Sequence, residues 1–480
     1  MRPARRQVLR LGTGALVAAG IGLPSVPAGA RQTSWIGGEG AVRGRIRPPR
    51  FRAERFPITR YGATPADATA GIAAAISACH QAGGGHVVVP PGLWHTGAIH
   101  LLSHVDLHLE EGATLRFSTD PAAYLPVVRT RWQSVEVYNY SSLIRADGQT
   151  DIGITGKGVL DGAGDNEHWW YWIGSGQYGW HEGLPNQRAD WGELERMNNE
   201  QVPLGERVFG AGHYLRPSFV QPFRCTNVLI EGVTIKDSPM WTIHPLECRN
   251  VTVRGVTVEN LGPNGDGCNP ESCTDVLIRD CTFATHDDCI AIKSGRDADG
   301  RRLGLPSRGI IVENCHFLSG GAAVAVGSEM SGGVHDVYVR RLTAPADPAA
   351  DEACLQWLLC VKSTSTRGGY VHTVDVRDVD SGAWMYRPLE ITFSYQGGGD
   401  QSLFPDVHDI RLDRIRVARA ERAYRIVGAE SRHIRSVAIT NSRFGQVAAE
   451  AVVQYADDVT IRNVRISTSL GDSEWRNGFA

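Results

Sequence analysis

NVLIEGVTI (Asn227–Ile235) shows a pattern that recurs along the chain: a polar residue first, then apolar residues at the second, fourth and ninth places. Further copies begin at Asn250, Asp275, Gly309, Asp336, Thr373, Asp409, Ser436 and Asp458, and a weaker copy begins at Asp151. The copy at Thr373 keeps the early apolar places and loses the ninth. The early part of each copy alternates apolar and polar residues with period two, which predicts a β-strand. One strand is therefore repeated through most of the chain.

The spacing of the copies predicts how these strands are connected. From 227 onward, successive copies start between 22 residues (436 to 458) and 37 residues (336 to 373) apart. Irregular spacing above a minimum indicates one set of strands per coil with loops of variable length, and each coil buries its apolar face only by stacking on its neighbours. Propeller blades need about 40 residues each, which is more than most of these intervals. We therefore predict an all-β chain folded as a parallel β-helix.

A solenoid needs a cap over the open end of its core. The stretch DATAGIAAAISACHQAGGG (67–85) places Ile72, Ile76 and Cys79 at helical intervals and ends in a glycine run, which is a helix stop signal. This stretch predicts an N-terminal capping helix.

Length and composition exclude several classes of partner. The chain has 480 residues, with 55 glycines and five methionines, which suits a turn-rich β protein better than a helical bundle. Its net charge of -3 gives no basic excess of the kind that binds nucleic acid or an anionic membrane surface. Beyond the N-terminus, no apolar run reaches the roughly 18 to 20 residues of a membrane span. We expect a monomer with neither nucleic-acid nor membrane partners.

The N-terminus resembles an export signal. Arg5 and Arg6 precede a moderately apolar, Gly/Ala-rich run, and Ala28 and Ala30 form a small-residue cleavage pattern. We predict a twin-arginine-type signal peptide at 1–30, a flexible Arg/Pro/Gly-rich lead at 31–50 and a β-helix domain at 51–480. An ordinary secretory signal with a chance Arg pair is the alternative. Either signal predicts a secreted or periplasmic protein.

Ten cysteines in an exported chain would normally indicate disulfides. Here, however, Cys225, Cys248 and Cys273 each lie two residues before a repeat, and Cys281 and Cys315 both occupy the seventh place. Twin-arginine substrates also fold in a reducing compartment. We therefore predict stacks of buried thiols rather than a disulfide framework.

Acidic residues recur in a second set of strands between the repeats. GPNGDGCNPESC (262–273) and THDDCIAIKSG (285–295) align with Cys268 over Cys289, which places Asp266 over Asp287. Aligning the next coil in the same way places Gly321 in this column. Adjacent coils stack about 4.8 Å apart, so the two carboxylates should be near neighbours and one pKa should rise. Asp288 follows at once, and a turn could aim it at the same cleft.

Pairs of carboxylates with separated pKa values supply the acid and the base of a reaction. Asp and Asn also cap turns, and a single acid here would favour that reading. The recurrence of acids beside cysteines on successive coils favours catalysis.

Four motifs in order, GPNGDGCNPESC, HDDCIAIKSGRDADGRR, AVGSEMSGG and VKSTSTRGG, resemble those of glycoside hydrolase family 28, the polygalacturonases and their pectin-degrading relatives. The resemblance covers nearly the whole chain after Phe56. It implies a single-stranded right-handed parallel β-helix and inverting hydrolysis without a cofactor or metal. By position, it assigns Asp287 as the general acid and Asp266 and Asp288 as the groups that activate water. Asn264 matches the asparagine of the family's N-x-D motif.

The chain departs from the family at several positions. Gly321 stands at the family's histidine, and Cys360 stands at an arginine that precedes the retained Lys362. His286 replaces a glycine, and Asn269 stands where aspartate is common. Because a thiol cannot replace the bidentate contacts of an arginine, binding of a sugar carboxylate should weaken. We expect weak activity on plain polygalacturonate and better activity on a branched or rhamnose-containing pectin fragment.

Other residues are further candidates for binding a polysaccharide or oligosaccharide. Lys293 follows the acid pair and could hold an anionic sugar, and Tyr395 could line the cleft. Asn264, His286 and the retained Lys362 are candidates for binding the substrate at the same cleft. A tryptophan-rich insertion could offer aromatic platforms to sugars or could simply pack the loop: Trp169, Trp170, Trp172, Trp180 and Trp191. Two alternatives to a glycosidase remain open, a polysaccharide lyase on the same architecture and a catalytically weakened carbohydrate-binding β-helix.

Overall fold

A computed structural model describes residues 38–345, 355–397 and 402–468. Its main feature is one large sheet of 21 strands, in which each coil hydrogen-bonds in parallel to the next, from strand 150–156 through strand 226–231 to the last strand. The strands of this sheet are Arg55–Pro57, Gly85–Val89, Gly92–Thr96, Val105–Leu109, Ala113–Phe117, Thr150–Gly156, Val159–Asp161, Thr226–Glu231, Thr234–Lys236, Arg249–Arg254, Thr257–Asn260, Thr274–Arg279, Thr282–Thr285, Ser307–Glu313, His316–Ser319, Val334–Arg340, Thr343–Ala344, Tyr370–Trp384, Asp406–Ala420, Ile434–Val447 and Ala456–Thr468. The chain is the predicted right-handed parallel β-helix.

The opposite side of the coils forms what we call the floor sheet. Its strands pair in parallel, and isolated bridges from Val220 through Ile243 and Cys268 to Ile290 join its two halves. The strands are Ile99–His100, Ile144–Asp147, Val220–Phe223, Ile290–Ile292, Ala322–Gly327, Trp357–Lys362, Arg387–Thr392, Tyr424–Val427 and Val452–Gln454. The apolar core of the coils fills the space between the large sheet and the floor sheet.

Backbone geometry explains the polar residues of the repeat. The first residue of all ten copies has a left-handed backbone, with φ between 54° and 67°, and so does the sixth, with φ between 51° and 114°. Glycine, asparagine and aspartate adopt this conformation at the least cost, and they dominate both places. The first residues also form the start of a side-chain ladder, because Asn250 donates to Asn227 and Asn227 donates to Asp151, both at 2.7 Å.

Cysteines fill the core as predicted. All nine that the structure describes are buried free thiols: Cys79, Cys225, Cys248, Cys268, Cys273, Cys281, Cys289, Cys315 and Cys360. The Cys248 and Cys273 thiols donate to backbone carbonyls of the preceding coil, each at 3.2 Å. Stacked thiols therefore take the place of a disulfide framework across the described coils.

Most helices lie at the N-terminal end or on an insertion that we call the side wall, residues 121–140 and 162–219. The predicted capping helix is Thr69–Gln81, with Ile72, Ile76 and Cys79 buried against the first coil. The remaining helices are residues 38–45, Arg188–Asn199 and Asp297–Leu303, with 3-10 turns at Ile58–Tyr61, Pro121–Tyr124, Trp170–Ile173, Gly176–Tyr178, Leu204–Glu206 and Tyr395–Gly397. The side wall also contains the hairpin Val128–Trp132 with Val135–Asn139, beside which Val208–Phe209 pairs.

The predicted flexible lead differs from the structure where the structure describes it. Residues 38–45 form a helix held on the large sheet by two ion pairs, Arg43 with Glu313 at 2.8 Å and Arg45 with Asp275 at 2.6 Å. Arginines in this segment therefore attach it to the large sheet and do not mark a solvated linker. The predicted signal at 1–30 lies outside the described residues. Among the helices that are described, none is long and apolar enough to cross a membrane.

Candidate active site

The three acids lie side by side at one edge of the floor sheet, but in a different register from the predicted one. Cys268 pairs with Ile290 rather than with Cys289, so the aspartate beside Asp266 is Asp288. The bend before this strand adds one residue, and the Thr285 hydroxyl holds it by donating to the Asp287 carbonyl at 2.7 Å. The predicted stacking of Asp266 on Asp287 is therefore wrong by one residue.

Asp288 is buried between a lysine and a backbone amide. Lys362 Nζ donates to its Oδ2 at 2.7 Å, and the Ala322 amide donates to its Oδ1 at 3.0 Å. Burial raises the pKa of Asp288 above its ordinary value, while the charge of Lys362 acts in the opposite direction. The Lys362 ammonium also lies 5.0 Å from the centre of the Tyr395 ring, so the retained lysine and the predicted tyrosine meet at this acid.

Asp266 is also buried, and its carboxylate has different neighbours. Asn269 Nδ2 donates to Oδ2 at 2.6 Å, and Lys293 Nζ lies 3.6 Å from the same oxygen. Burial, and next the nearby charge of Asp287, raise the pKa of Asp266 well above its ordinary value. Crowding of acids therefore contributes to the raised pKa of Asp266, but burial is the larger cause, and the pKa of Asp288 is raised as well.

Asp287 is partly exposed, whereas Asp266 and Asp288 are almost completely buried. Its Oδ1 accepts the amide of Asp288 at 2.9 Å. The Gly321 amide donates to its carbonyl at 3.0 Å, so Gly321 does lie next to Asp287 as the alignment predicted. Of the three carboxyl groups, Asp287 is the one that a bound sugar can reach most easily.

Lys293 is buried in a charged cluster that sequence reasoning did not identify. Its ammonium donates to Glu329 at 3.0 Å and lies 4.5 Å from the ring centre of Trp241. Burial alone would lower the pKa of Lys293, but the carboxylates of Glu329 and Asp266 outweigh it and raise the pKa. Glu329 lies inside the motif AVGSEMSGG, two residues after the strand Ala322–Gly327 ends. An acid at that place in the motif is the sequence signal by which Glu329 could have been found.

The remaining predicted binding residues contact protein groups. Asn264 has a left-handed backbone, with φ of 53°, and its Oδ1 accepts from the buried Arg216 at 2.8 Å. His286 Nε2 lies 3.0 Å from the Tyr178 hydroxyl of the side wall. Asn264 therefore supports the loop that carries Asp266, and His286 joins the wall to the acid loop.

Gly321 and Cys360, two of the departures from the family, occupy different surroundings. A Cβ atom at Gly321 would lie 2.9 Å from Asp288 Oδ1, so any side chain there must displace that carboxylate or its neighbours. Cys360 is buried in the outward column of the floor sheet between Ala325 and Glu390. Neither position offers a cation to a sugar.

The side wall closes the floor sheet on the N-terminal side of the acids. Arg131 reaches the floor and donates to Glu271 at 2.9 Å, and Trp132 packs on Trp191 at 5.0 Å between ring centres. Trp241, which precedes Asp266 in the coil stack, belongs to the same apolar cluster. Of the tryptophans for which both a sugar platform and loop packing were open, Trp169 and Trp172 are buried core residues, which is the packing alternative.

The charge on Asp266 should reduce the stability of the fold. Its pKa is raised on folding, so the folded state binds the proton more tightly, and ionisation costs stability as pH rises above the unfolded value of about 3.9. We expect Asp266→Asn to unfold at the wild-type temperature near pH 4 and at a higher temperature from pH 6 to 8, measured by thermal melts.

Asp280→Asn is the matched control for this experiment. Burial alone would raise the pKa of Asp280, but the hydrogen bonds from Arg279 and Asn314 outweigh burial and lower this pKa. A carboxyl group whose pKa is lowered on folding stabilises the wild type at pH values above its unfolded pKa. The Asp280→Asn variant lacks this contribution, so it should become less stable than the wild type as pH rises. A melting difference for Asp266→Asn that does not change with pH would contradict the electrostatic explanation.

Comparison with known proteins supports a single family. The profile of glycosyl hydrolases family 28 matches residues 211–347, which include the three acids. A "Probable polygalacturonase" of Vitis vinifera is 29% identical over 75% of this chain and 66% of its own length. An "Exo-poly-alpha-D-galacturonosidase" of Dickeya chrysanthemi is 26% identical over 70% of this chain and 57% of its own length. The chain thus spans about two thirds or less of these curated relatives.

A solved structure matches almost from end to end. The exopolygalacturonase from Thermotoga maritima is 38% identical to this chain, with a TM-score of 0.85 over 90% of this chain and 96% of the other.

Proposed function

Because the chain belongs to glycosyl hydrolases family 28, we propose that it cleaves glycosidic bonds in pectin-type polysaccharide with inversion at the anomeric carbon. The observation that carries this proposal is the group of Asp266, Asp287 and Asp288 at one edge of the floor sheet, with a buried lysine beside each of the two buried acids. Glycoside hydrolysis needs one carboxyl group to protonate the leaving oxygen and another to activate water.

The different environments of the acids suggest their roles. Asp287 is open to a bound sugar, so it donates the proton to the glycosidic oxygen. Asp266 and Asp288 are buried side by side and bound to Lys293 and Lys362, so together they hold and deprotonate the attacking water. The hydrogen bond from Asn269 fixes the orientation of the Asp266 carboxylate for this step.

The side wall favours action on chain ends. Arg131 and the tryptophan cluster cover the floor sheet directly beside Trp241 and Asp266, so a long polymer cannot continue past the acids in that direction. We propose that the enzyme removes terminal residues, a mode of action that the similar Thermotoga maritima protein carries in its name, exopolygalacturonase.

Both lysines at the site argue against the lyase alternative. A lyase needs a base to remove a proton from carbon, but Lys362 is bound to Asp288 at 2.7 Å and Lys293 to Glu329 at 3.0 Å. Charged partners keep an ammonium group protonated. The protein therefore hydrolyses the bond and does not eliminate across it.

Cys360 favours a second candidate for the substrate. The thiol is buried and uncharged, so Lys362 supplies the cation for a sugar carboxylate at this position without an arginine beside it. A rhamnose-containing pectin fragment, in which neutral sugars alternate with acidic ones, fits one cation better than a uniform polygalacturonate does.

The test is to give the full chain polygalacturonate, its oligomers and rhamnogalacturonan in parallel. We expect new reducing ends, no ultraviolet absorbance from unsaturated products, single sugars from the first time point and an inverted first anomer by proton NMR. Larger fragments at the start would refute end-directed action, and a retained anomer would refute the roles of the acids. Absence of reducing ends on every substrate would leave a carbohydrate-binding protein.

We also propose that the protein is exported in the folded state by its Arg5–Arg6 leader and acts as a monomer. Buried free thiols are compatible with folding in a reducing compartment before export. Lysine in place of both arginines should retain the protein in the cytoplasm, and continued export would favour the ordinary secretory signal.

A further inference from the structure

Two histidines and an aspartate converge on the outer face of the first coils, remote from the acids in the coil stack. His86 lies on strand Gly85–Val89, while Asp106 and His108 lie on strand Val105–Leu109. Their ligand atoms, one from each residue, all lie within 4.8 Å of one another. We propose that these three side chains bind a zinc ion, with water at the open position.

Asp106 provides an independent reason to expect a cation. The residue is completely buried, its Oδ1 has no hydrogen-bond partner, and it makes no ion pair with lysine or arginine in the described parts of the chain. Burying a carboxylate is costly unless the charge is paired or coordinates a metal. The only ionisable partners within ion-pair distance of Asp106 among the described residues are His86 and His108.

The distances fit a metal with small movements. His86 Nδ1 lies 2.7 Å from Asp106 Oδ2, and His108 Nδ1 lies 3.9 Å from the same oxygen. Zinc bonds of about 2.0–2.2 Å in a tetrahedron place neighbouring ligand atoms about 3.3 Å apart. Each histidine therefore needs to shift its nitrogen by less than about 1 Å.

The histidine side of the cluster is open to solvent, and Thr155 supports the aspartate. Both histidine side chains are 30% exposed, so water can reach the site. Thr155, on the next coil, donates to Asp106 Oδ2 at 2.7 Å, which orients the carboxylate ligand, and it lies 2.8 Å from His108 Nδ1, a hydrogen bond that zinc replaces when it binds this nitrogen. Two histidines, one carboxylate and a water form a donor set that zinc prefers.

A zinc ion here would join the first coils to each other. The ligands come from adjacent strands, with His86 opposite Asp106 in the register. The ring of Phe51, from the N-terminal segment, lies 6.0 Å from the ring of His86 and covers the cluster edge. We expect the ion to stabilise the capped end of the β-helix without changing the chemistry at the acids.

The experiment is a calorimetric titration of the chelator-treated full chain with zinc chloride. We expect one zinc ion per chain and an increase of roughly 2 °C or more in the unfolding temperature at saturation. His108→Gln keeps a hydrogen-bonding group beside Thr155 but loses the ligand, so it should fold normally and lose the stoichiometric binding. His433→Ala is the matched control, because His433 pairs with Asp457 at 3.0 Å with no second histidine in the cluster, and it should bind zinc as the wild type does.

Two results would overturn the zinc site. One is a wild-type chain that shows no saturable binding of zinc. The other is His108→Gln binding zinc with the same stoichiometry and affinity as the wild type. In either case the cluster is a hydrogen-bonded His–Asp–Thr group that supports the coils without a metal. Neither result would affect the proposed hydrolysis, since reducing-end release is measured separately.

Discussion

Asp287→Asn is expected to lower kcat by about 10²–10⁴-fold, because it removes the proton donor and leaves the fold intact. Asp287 is partly exposed, and an asparagine oxygen can still accept the amide of Asp288 that now bonds at 2.9 Å. The unfolding temperature should therefore change little. The measurement is initial rates of reducing-end release on the best natural substrate.

An activated substrate makes this prediction specific to a proton donor. A nitrophenyl glycoside has a leaving group that needs little protonation, so Asp287→Asn should lose much less activity on it than on the polysaccharide. Asp288→Asn, in which the group proposed to activate water is lost, should be impaired on both substrates. Equal losses for Asp287→Asn on both substrates, or activity within a few-fold of wild type on the polysaccharide, would remove Asp287 from the proton-donor role.

The fold follows from short-range features that a single sequence displays. The alternation in each nine-residue copy identifies the strands, and the polar first place reflects a left-handed backbone in all ten copies. Because this turn is set by one residue, the polar residue that opens each copy is visible in the sequence without knowledge of the coils. The thiol columns at Cys225, Cys248 and Cys273 follow from the same repeat.

The site was less predictable because one residue in a bend changes every contact across it. Matching cysteines put Asp266 over Asp287, whereas the bend held by Thr285 puts it beside Asp288. A slip of one residue reverses which side chains face together, and no local signal marks the extra residue. The motifs still drew attention to the three acids that the structure brings together at the edge of the floor sheet.

Contacts between residues far apart in the sequence explain why Glu329 and the helix at 38–45 were not predicted. Glu329 is one coil away from Lys293, and its role depends on side chains that approach only after the coils stack. The helix at 38–45 is held by Glu313 and Asp275, more than 200 residues distant. Composition alone made that segment resemble a linker. Ion pairs between distant coils leave no periodic pattern in the sequence.

Lys362→Met is expected to lower kcat by about 10²-fold or more, chiefly through its effect on Asp288. The ammonium donates to Asp288 Oδ2 at 2.7 Å inside the protein, and its charge opposes the rise that burial causes in the pKa of Asp288. Removing one partner of a buried ion pair leaves an uncompensated charge, which costs about 3–5 kcal/mol unless the carboxyl group takes up a proton.

The pH profile distinguishes this effect from loss of substrate binding. If Asp288 must be ionised to activate water, Lys362→Met raises its pKa, and the acid limb of kcat moves to higher pH. Lys362→Arg keeps the charge and should keep the limb close to the wild-type position. If Lys362 only holds a sugar carboxylate, the change appears in KM and the limb of kcat stays where it is. That outcome would contradict the proposed pairing in catalysis.

A double variant tests whether Lys362 and Asp288 act as a pair, because the effects of two residues that act together are not additive. Asp288→Asn has already lost the carboxylate that Lys362 neutralises, so adding Lys362→Met should cost little more in kcat. Lys362 also lies 5.0 Å from the Tyr395 ring, and its unused hydrogens can reach a sugar carboxylate, so some further rise in KM is expected. Losses in kcat that multiply fully would mean that the lysine and the aspartate act in separate steps, and Asp266 alone would then have to activate the water.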